Sequence, residues 1–187
     1  QRTQRRRKAN KGAPEGAAKV VPTKFGESVT GDHFIKNVPL YVEEDLEWPT
    51  DTVAVVLYDR ATDWLACYPR GTKTTYHTIS AMQHFAGSKD KVTSFYCDNA
   101  RELMAGATAC HWRLSTATTG MPQTNGVAEN CVRRVKEGGG CCIVQSGFNP
   151  ATFWLPASEH SCVSSNVSRI AARAPHKRPY TIGTYKR

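Results

Sequence analysis

The sequence predicts an α/β domain built on one five-stranded sheet of mixed direction, flanked by helices. Three observations carry that reading. Strand-like runs recur five times along the chain. The first three are joined by turns or loops, whereas helical-period segments separate the later ones. The composition, 40% hydrophobic and 22% charged over 187 residues, is that of a chain able to bury a core. No stretch approaches the roughly 20 apolar residues of a membrane span, so a membrane protein is excluded from the expected classes.

Residues 1–24 read as a disordered basic arm, broken by Gly12, Pro14, Gly16 and Pro22. No apolar segment follows the opening QRTQRRRKANKG, so no secretory signal is expected there. An opening on Gln1 points to a piece of a longer chain. Residues 25–168 read as the folded core and residues 169–187 as a basic C-terminal tail. In the core, 28–38 (SVTGDHFIKNV) is a strand with a bulge expected at Gly31. The acids Glu43, Glu44, Asp45 and Glu47 mark a solvated loop. Residues 52–58 (TVAVVLY) form a buried strand, 59–63 a turn and 64–68 a third strand, giving an antiparallel meander.

Residues 74–85 place Tyr76, Ile79, Met82 and Phe85 at helical spacing, as core residues. Residues 92–97 (VTSFYC) form a strand that runs into Asp98, 101–109 a short helix and 110–115 a fifth strand. Residues 118–126 (TTGMPQTNG) are a loop rich in breakers. A helix starts at Val127 and is expected to stop at Gly138-Gly139-Gly140, because each interior Gly costs roughly 1 kcal/mol against Ala. Pro150 opens a further helix with Phe153, Trp154 and Leu155. Trp48, Trp64, Trp112 and Trp154 are expected to anchor core or interface, and His33 and His111 to be structural.

Charge is concentrated at the ends. The net charge is +9, yet residues 1–24 hold eight basic residues and one acid, and residues 169–187 six basic residues and no acid. The body between them holds 11 basic and 15 acidic residues. Basic tails attract phosphate backbones through a long-range, salt-sensitive force. An acidic body between them fits carboxylates that hold cations. The seven cysteines include no C-x-x-C pair, and Cys141 and Cys142 are adjacent. A structural zinc site is therefore not expected, and reduced thiols place the chain in the nucleus or cytoplasm.

Three acids sit at informative positions. Asp32 lies within the first strand, Asp98 just past the end of a buried strand, and Glu129 in the first turns of a helix after a breaker-rich loop. Converging carboxylates repel one another and bind divalent cations, and a pair of such ions promotes phosphodiester chemistry. The same positions also fit an outward strand residue, a turn former and a helix-start acid favoured by the dipole.

The motifs around these acids resemble a known family. Residues 96–102 (YCDNARE) resemble the second-aspartate motif of retroviral and retrotransposon integrases. Residues 119–130 (TGMPQTNGVAEN) resemble the family's P-Q-x-N-G-x-x-E loop, which runs into the helix bearing the third acid. Asp32 in SVTGDHF then falls at the first aspartate. Residues 57–65 (LYDRATDWL) resemble the hairpin between strands two and three, and 148–157 (FNPATFWLPA) the P-x-x-F-W-x-x-A segment of retrotransposon versions. The resemblance covers about residues 25–170.

It implies a ribonuclease H-like fold and an integrase-type DNA strand transferase. By the same resemblance, Asp32, Asp98 and Glu129 are the catalytic residues and hold Mg²⁺ or Mn²⁺. Asn99, Gln123, Asn125, Arg133 and Lys136 are implied nucleic-acid contacts. The implied partners are DNA, as element ends and target, and further copies of the chain. Two departures predict weakened catalysis. The 30 residues between Asp98 and Glu129 are fewer than the family's usual interval, and the glycines at 138–140 interrupt its third helix. Neither the family's upstream histidine–cysteine zinc module nor a complete C-terminal DNA-binding domain is recognisable in the sequence. Two other readings stay open: a repurposed, non-catalytic nucleic-acid-binding protein, and a ribonuclease H-like nuclease that cuts without joining.

Overall fold

The computed structural model describes residues 21–35, 53–88, 91–116 and 125–173. The expected bulk of the basic arm, the acidic loop at 43–47, Trp48 and the loop ahead of Asn125 lie outside these residues. The elements run β1 (Val29–Ile35), β2 (Val53–Asp59), β3 (Leu65–Arg70), α1 (Thr75–Ala86), β4 (Ser94–Cys97), α2 (Arg101–Ala109), β5 (Arg113–Thr116), α3 (Gly126–Ser146) and α4 (Pro150–Arg173). The helix α4 thus crosses the expected boundary between core and tail at residue 168.

The sheet order is β3-β2-β1-β4-β5. The three N-terminal strands form the antiparallel meander, and β4 and β5 join parallel to β1. Five strands of mixed direction with helices on both faces match the expected α/β class.

Side-chain alternation along β1 and β2 splits the core in two. Val29, Val55, Leu57 and Phe95 face α1 and α2, whose Met82, Phe85 and Leu103 close over them. Phe34, Ala54, Val56 and Cys67 face α3 and α4, meeting Cys131, Val135, Leu155 and Cys162. Trp112 packs edge-on to Phe95 and Trp154 edge-on to Phe34, so both act as the expected anchors. All seven cysteines are free thiols.

Two buried polar side chains tie the layers together. Asp59, within the segment read as a turn, ends β2 fully buried. It accepts the Gly26 N–H at 3.0 Å, and the Thr62 N–H and hydroxyl at 2.8 and 2.7 Å. Asn166 of α4 offers its amide to the edge strand β3 as a neighbouring strand would. It donates to the Leu65 carbonyl at 2.8 Å and accepts the Leu65 N–H at 3.1 Å. Both satisfy backbone groups that would be costly to bury alone.

Three expectations are corrected. There is no bulge at Gly31: the β1–β2 register runs one-to-one from Val29↔Asp59 to Ile35↔Val53. A Cβ at Gly31 would meet Leu57 Cδ2 at 2.7 Å and the Phe95 ring at 3.0 Å, so the glycine makes room in a packed layer. Tyr76 is not core: it is 76% exposed, and α1 buries Thr78, Ala81, Met82 and Phe85. The two faces share Met82 and Phe85, and counting from Thr78 and not from Tyr76 turns the buried stripe by about 80°, less than a quarter-turn. The third correction concerns α3. It runs unbroken through Gly138-Gly139-Gly140 and stops at Gly147, whose left-handed φ of 70° caps it. A Cβ at Gly139 would clash with Ser158 Oγ and lie 3.1 and 3.2 Å from the Ser158 Cα and N. The glycines let α3 approach α4 closely, and that packing outweighs their poor helix propensity.

Candidate active site

The β1–β4 register builds the centre of the site. Gly31 pairs with Cys97 in parallel, so the next residues on the two chains, Asp32 and Asp98, emerge side by side. Alternation turns both away from the α1–α2 layer, toward α3. Asp98 Oδ1 accepts the Ala100 N–H at 3.0 Å, an Asx turn that starts α2. Asp32 Oδ1 accepts the His33 N–H at 2.7 Å. Glu129 lies exposed in the first turn of α3, where the helix dipole favours a carboxylate.

Asp32 senses the other two charges. Burial pushes the Asp32 carboxyl up to about 6, against the bond from the His33 amide. The charges of Asp98 and Glu129 raise it further, and Lys73 opposes them. Burial, then Asp98 and Asp32, push the Cys97 thiol up to about 12, which keeps it neutral beneath the site. Among the described residues, no three His, Cys, Asp or Glu side chains are drawn into a group that holds a metal ion. The carboxylates are thus electrostatically coupled without being closed into a coordination shell.

The raised Asp32 pKa gives a pH-dependent result. The folded state favours the protonated acid, while the unfolded chain ionises at the ordinary value of 3.8. The stability from this group is complete below about pH 4 and is lost as the pH rises through about 6. In cation-free buffer, Asp32→Asn is therefore expected to melt higher than wild type at pH 7, with the gain fading toward pH 4. An equal gain at both pH values would show that charge is not its cause.

His33 faces the opposite side of the sheet and is structural, as expected. The Thr78 hydroxyl donates to the Thr74 carbonyl at 2.9 Å, so His33 Nε2 must donate to Thr78 Oγ1, 3.2 Å away. That tautomer leaves Nδ1 a bare lone pair, buried and without a hydrogen-bond partner. Burial, then Lys73, hold the ring down to about 4, against Glu102 and Asp98, so it is neutral at pH 7.

Four of the five expected DNA contacts fall on described residues. Asn99 is exposed beside Asp98. Gln123 lies outside the described residues. Asn125 is buried, and its Oδ1 has no hydrogen-bond partner. Arg133 is held on its own helix, donating to Asn130 Oδ1 at 2.7 Å and Glu137 Oε1 at 2.8 Å. The Lys136 ammonium sits 4.8 Å from the centre of the Phe34 ring. Two charged residues near the acids were not anticipated: Lys73, just before α1, and Glu102, in the first turn of α2. The available signal was a lysine placed against the positive end of a helix.

No family model matches the chain, and no curated protein matches it significantly. The fold is similar to a solved structure, the simian T-cell lymphotropic virus intasome in complex with the PP2A regulatory subunit B56 gamma, determined by cryoEM. The identity is 13% and the TM-score 0.55, over 82% of this chain and 52% of that one. The chain therefore spans about half the length of the one it matches. At this identity the likeness is one of fold. The fold is ribonuclease H-like. Its arrangement in this chain is integrase-like: a five-stranded mixed sheet with β1 and β4 adjacent and parallel, and a long helix packed over β1 and β2.

Proposed function

We propose that the chain is an integrase-type catalytic core that acts on DNA phosphodiesters with two divalent cations. The observation that carries this reading is the β1–β4 register. It sets Asp32 beside Asp98 beneath the helix that bears Glu129, within a ribonuclease H-like sheet.

The donor set fits the proposed ions. Three carboxylates offer only hard oxygen ligands, which suit Mg²⁺ or Mn²⁺. Their mutual repulsion, read at Asp32, is what a cation would relieve. When bound, such ions polarise the attacking oxygen and neutralise charge on the leaving one. The rest falls to the chain's own groups. The Asx turn fixes Asp98, and β1 fixes Asp32. Glu129 rides on α3, whose position the glycine contacts with α4 set. In this reading Asn99, Gln123, Asn125, Arg133 and Lys136 are the DNA contacts, with Arg133 and Lys136 contacting phosphates. The basic ends of the chain add sequence-independent attraction. A second copy of the chain completes the assembly. No helix among the described residues is long and apolar enough to cross a membrane.

The test is incubation of the folded chain with duplex oligonucleotides and Mn²⁺. Nicked and joined products are expected, and chelation should abolish both. Nicking without joining would favour the nuclease reading. DNA binding with no product in Mn²⁺ would favour the non-catalytic one.

A further inference from the structure

We propose that Lys73 grips a phosphate of the bound strand beside Asp32 and Asp98, and that Glu102 holds its ammonium in place until DNA arrives. This rests on the DNA-acting reading and adds to it a positioning residue that no integrase motif in the sequence contains.

The starting point is a misfit. Lys73 directly precedes Thr74, the N-cap of α1, whose hydroxyl accepts the His77 N–H at 3.3 Å. A helix N-terminus carries partial positive charge, so a lysine beside it is disfavoured. Its compensation within the chain is weak. Lys73 Nζ lies 3.7 Å from Glu102 Oε2, beyond the 2.7–2.9 Å typical of a charge-assisted hydrogen bond. The two side chains are 34% and 28% exposed, and such pairs contribute little to stability. The ammonium is therefore held near the site while keeping donors for another acceptor.

Its position relates it to the acids. Glu102 sits in the first turn of α2, the helix that the Asp98 Asx turn starts. Lys73 is thus tethered to the element that places Asp98. The helix that Lys73 precedes is in turn joined to β1 beside Asp32, where His33 Nε2 donates to the Thr78 hydroxyl at 3.2 Å. The chemistry calls for such a group. Two divalent ions would offset the three carboxylates, and a lysine beside them adds a contact to the backbone of the bound strand, since lysine binds phosphate as a point charge. Exchange of Glu102 for a phosphate oxygen would keep Lys73 neutralised throughout.

The test is binding of the full chain to a labelled duplex oligonucleotide in Mg²⁺, by fluorescence anisotropy between about 50 and 200 mM salt. Lys73→Gln is expected to weaken binding several-fold and to flatten the plot of log affinity against log salt by about 0.9, one phosphate contact. Lys73→Arg should restore both, and Glu102→Gln should tighten binding by releasing the ammonium. A merely structural lysine would alter melting temperature without moving the salt slope. Wild-type affinity and slope in Lys73→Gln, with wild type binding DNA, would overturn the proposal alone. Weaker binding by Glu102→Gln would overturn the exchange. A wild-type chain that binds no DNA would overturn the underlying reading and this one with it.

Discussion

Asp98→Asn is expected to abolish divalent-dependent joining of DNA while leaving the fold intact. In the proposed reading the residue has two jobs, and the substitution separates them. Its Oδ1 accepts the Ala100 N–H that starts α2, and an asparagine carbonyl accepts the same bond. Its negative charge, which Asp32 senses, is the part that would hold a cation. Loss of that charge is expected to slow joining by ~10³-fold or more, about 4 kcal/mol of transition-state stabilisation. The melting temperature should stay close to wild type in metal-free buffer. Asp98→Ala removes both functions, so it should be equally inactive and also less stable. Single-turnover joining with Mn²⁺, run beside a thermal melt, measures both quantities. Wild-type joining by Asp98→Asn would remove Asp98 from the site.

Neighbouring glycines in α3 are expected to respond to substitution with opposite signs. Gly139→Val places branched carbon against the Ser158 backbone, where no rotamer change gives relief. Overpacking of this kind costs typically 1–3 kcal/mol. It should also shift α3, and Glu129 with it, so joining should fall along with stability. Gly140 has open space around its Cβ position, so Gly140→Ala should stabilise the protein by roughly 0.4–1 kcal/mol. Urea melts of the two variants decide the matter. If both stabilise, α3 and α4 are not in the close contact described. If both destabilise, the glycines serve the backbone and not the packing. The pair also bears on catalysis, because one of the two grounds for expecting an impaired site was a helix broken at these residues. A continuous α3 removes that ground, and the short Asp98–Glu129 interval remains.

Much of this was readable from the chain because it is locally encoded. The run 52–58 is apolar and β-branched, so it could only be a buried strand. The helix at 101–109 came with both ends right, since Asp98 supplies the turn that starts it. The breaker-rich loop before Glu129 announced a helix start, and the alternation of strands and helices gave the layered class. Even α3 carried its signal: Ala128, Cys131, Val135, Gly139 and Ile143 continue at helical spacing through the glycines. That period was overruled by propensity, which counts a glycine as if nothing packed against it.

What tertiary structure decided was, in every case, set by a partner distant in sequence. Glycine in α3 breaks a solitary helix but joins two packed ones, and Ser158 and Ser161 on α4 distinguish the cases. Gly31 reads as a bulge until Leu57 and Phe95 are seen to fill its space. Asn166 gains its role only where it meets the open edge of β3. Lys73 and Glu102 belong to separate segments, so no spacing links them, and their pairing beside Asp32 exists only once β1, α1 and α2 are assembled. Sequence by itself determined the periods, the turns and the types of acid on offer. The register of β1 on β4 decided that two of those acids stand together, because parallel pairing is made by the sheet and not by either strand.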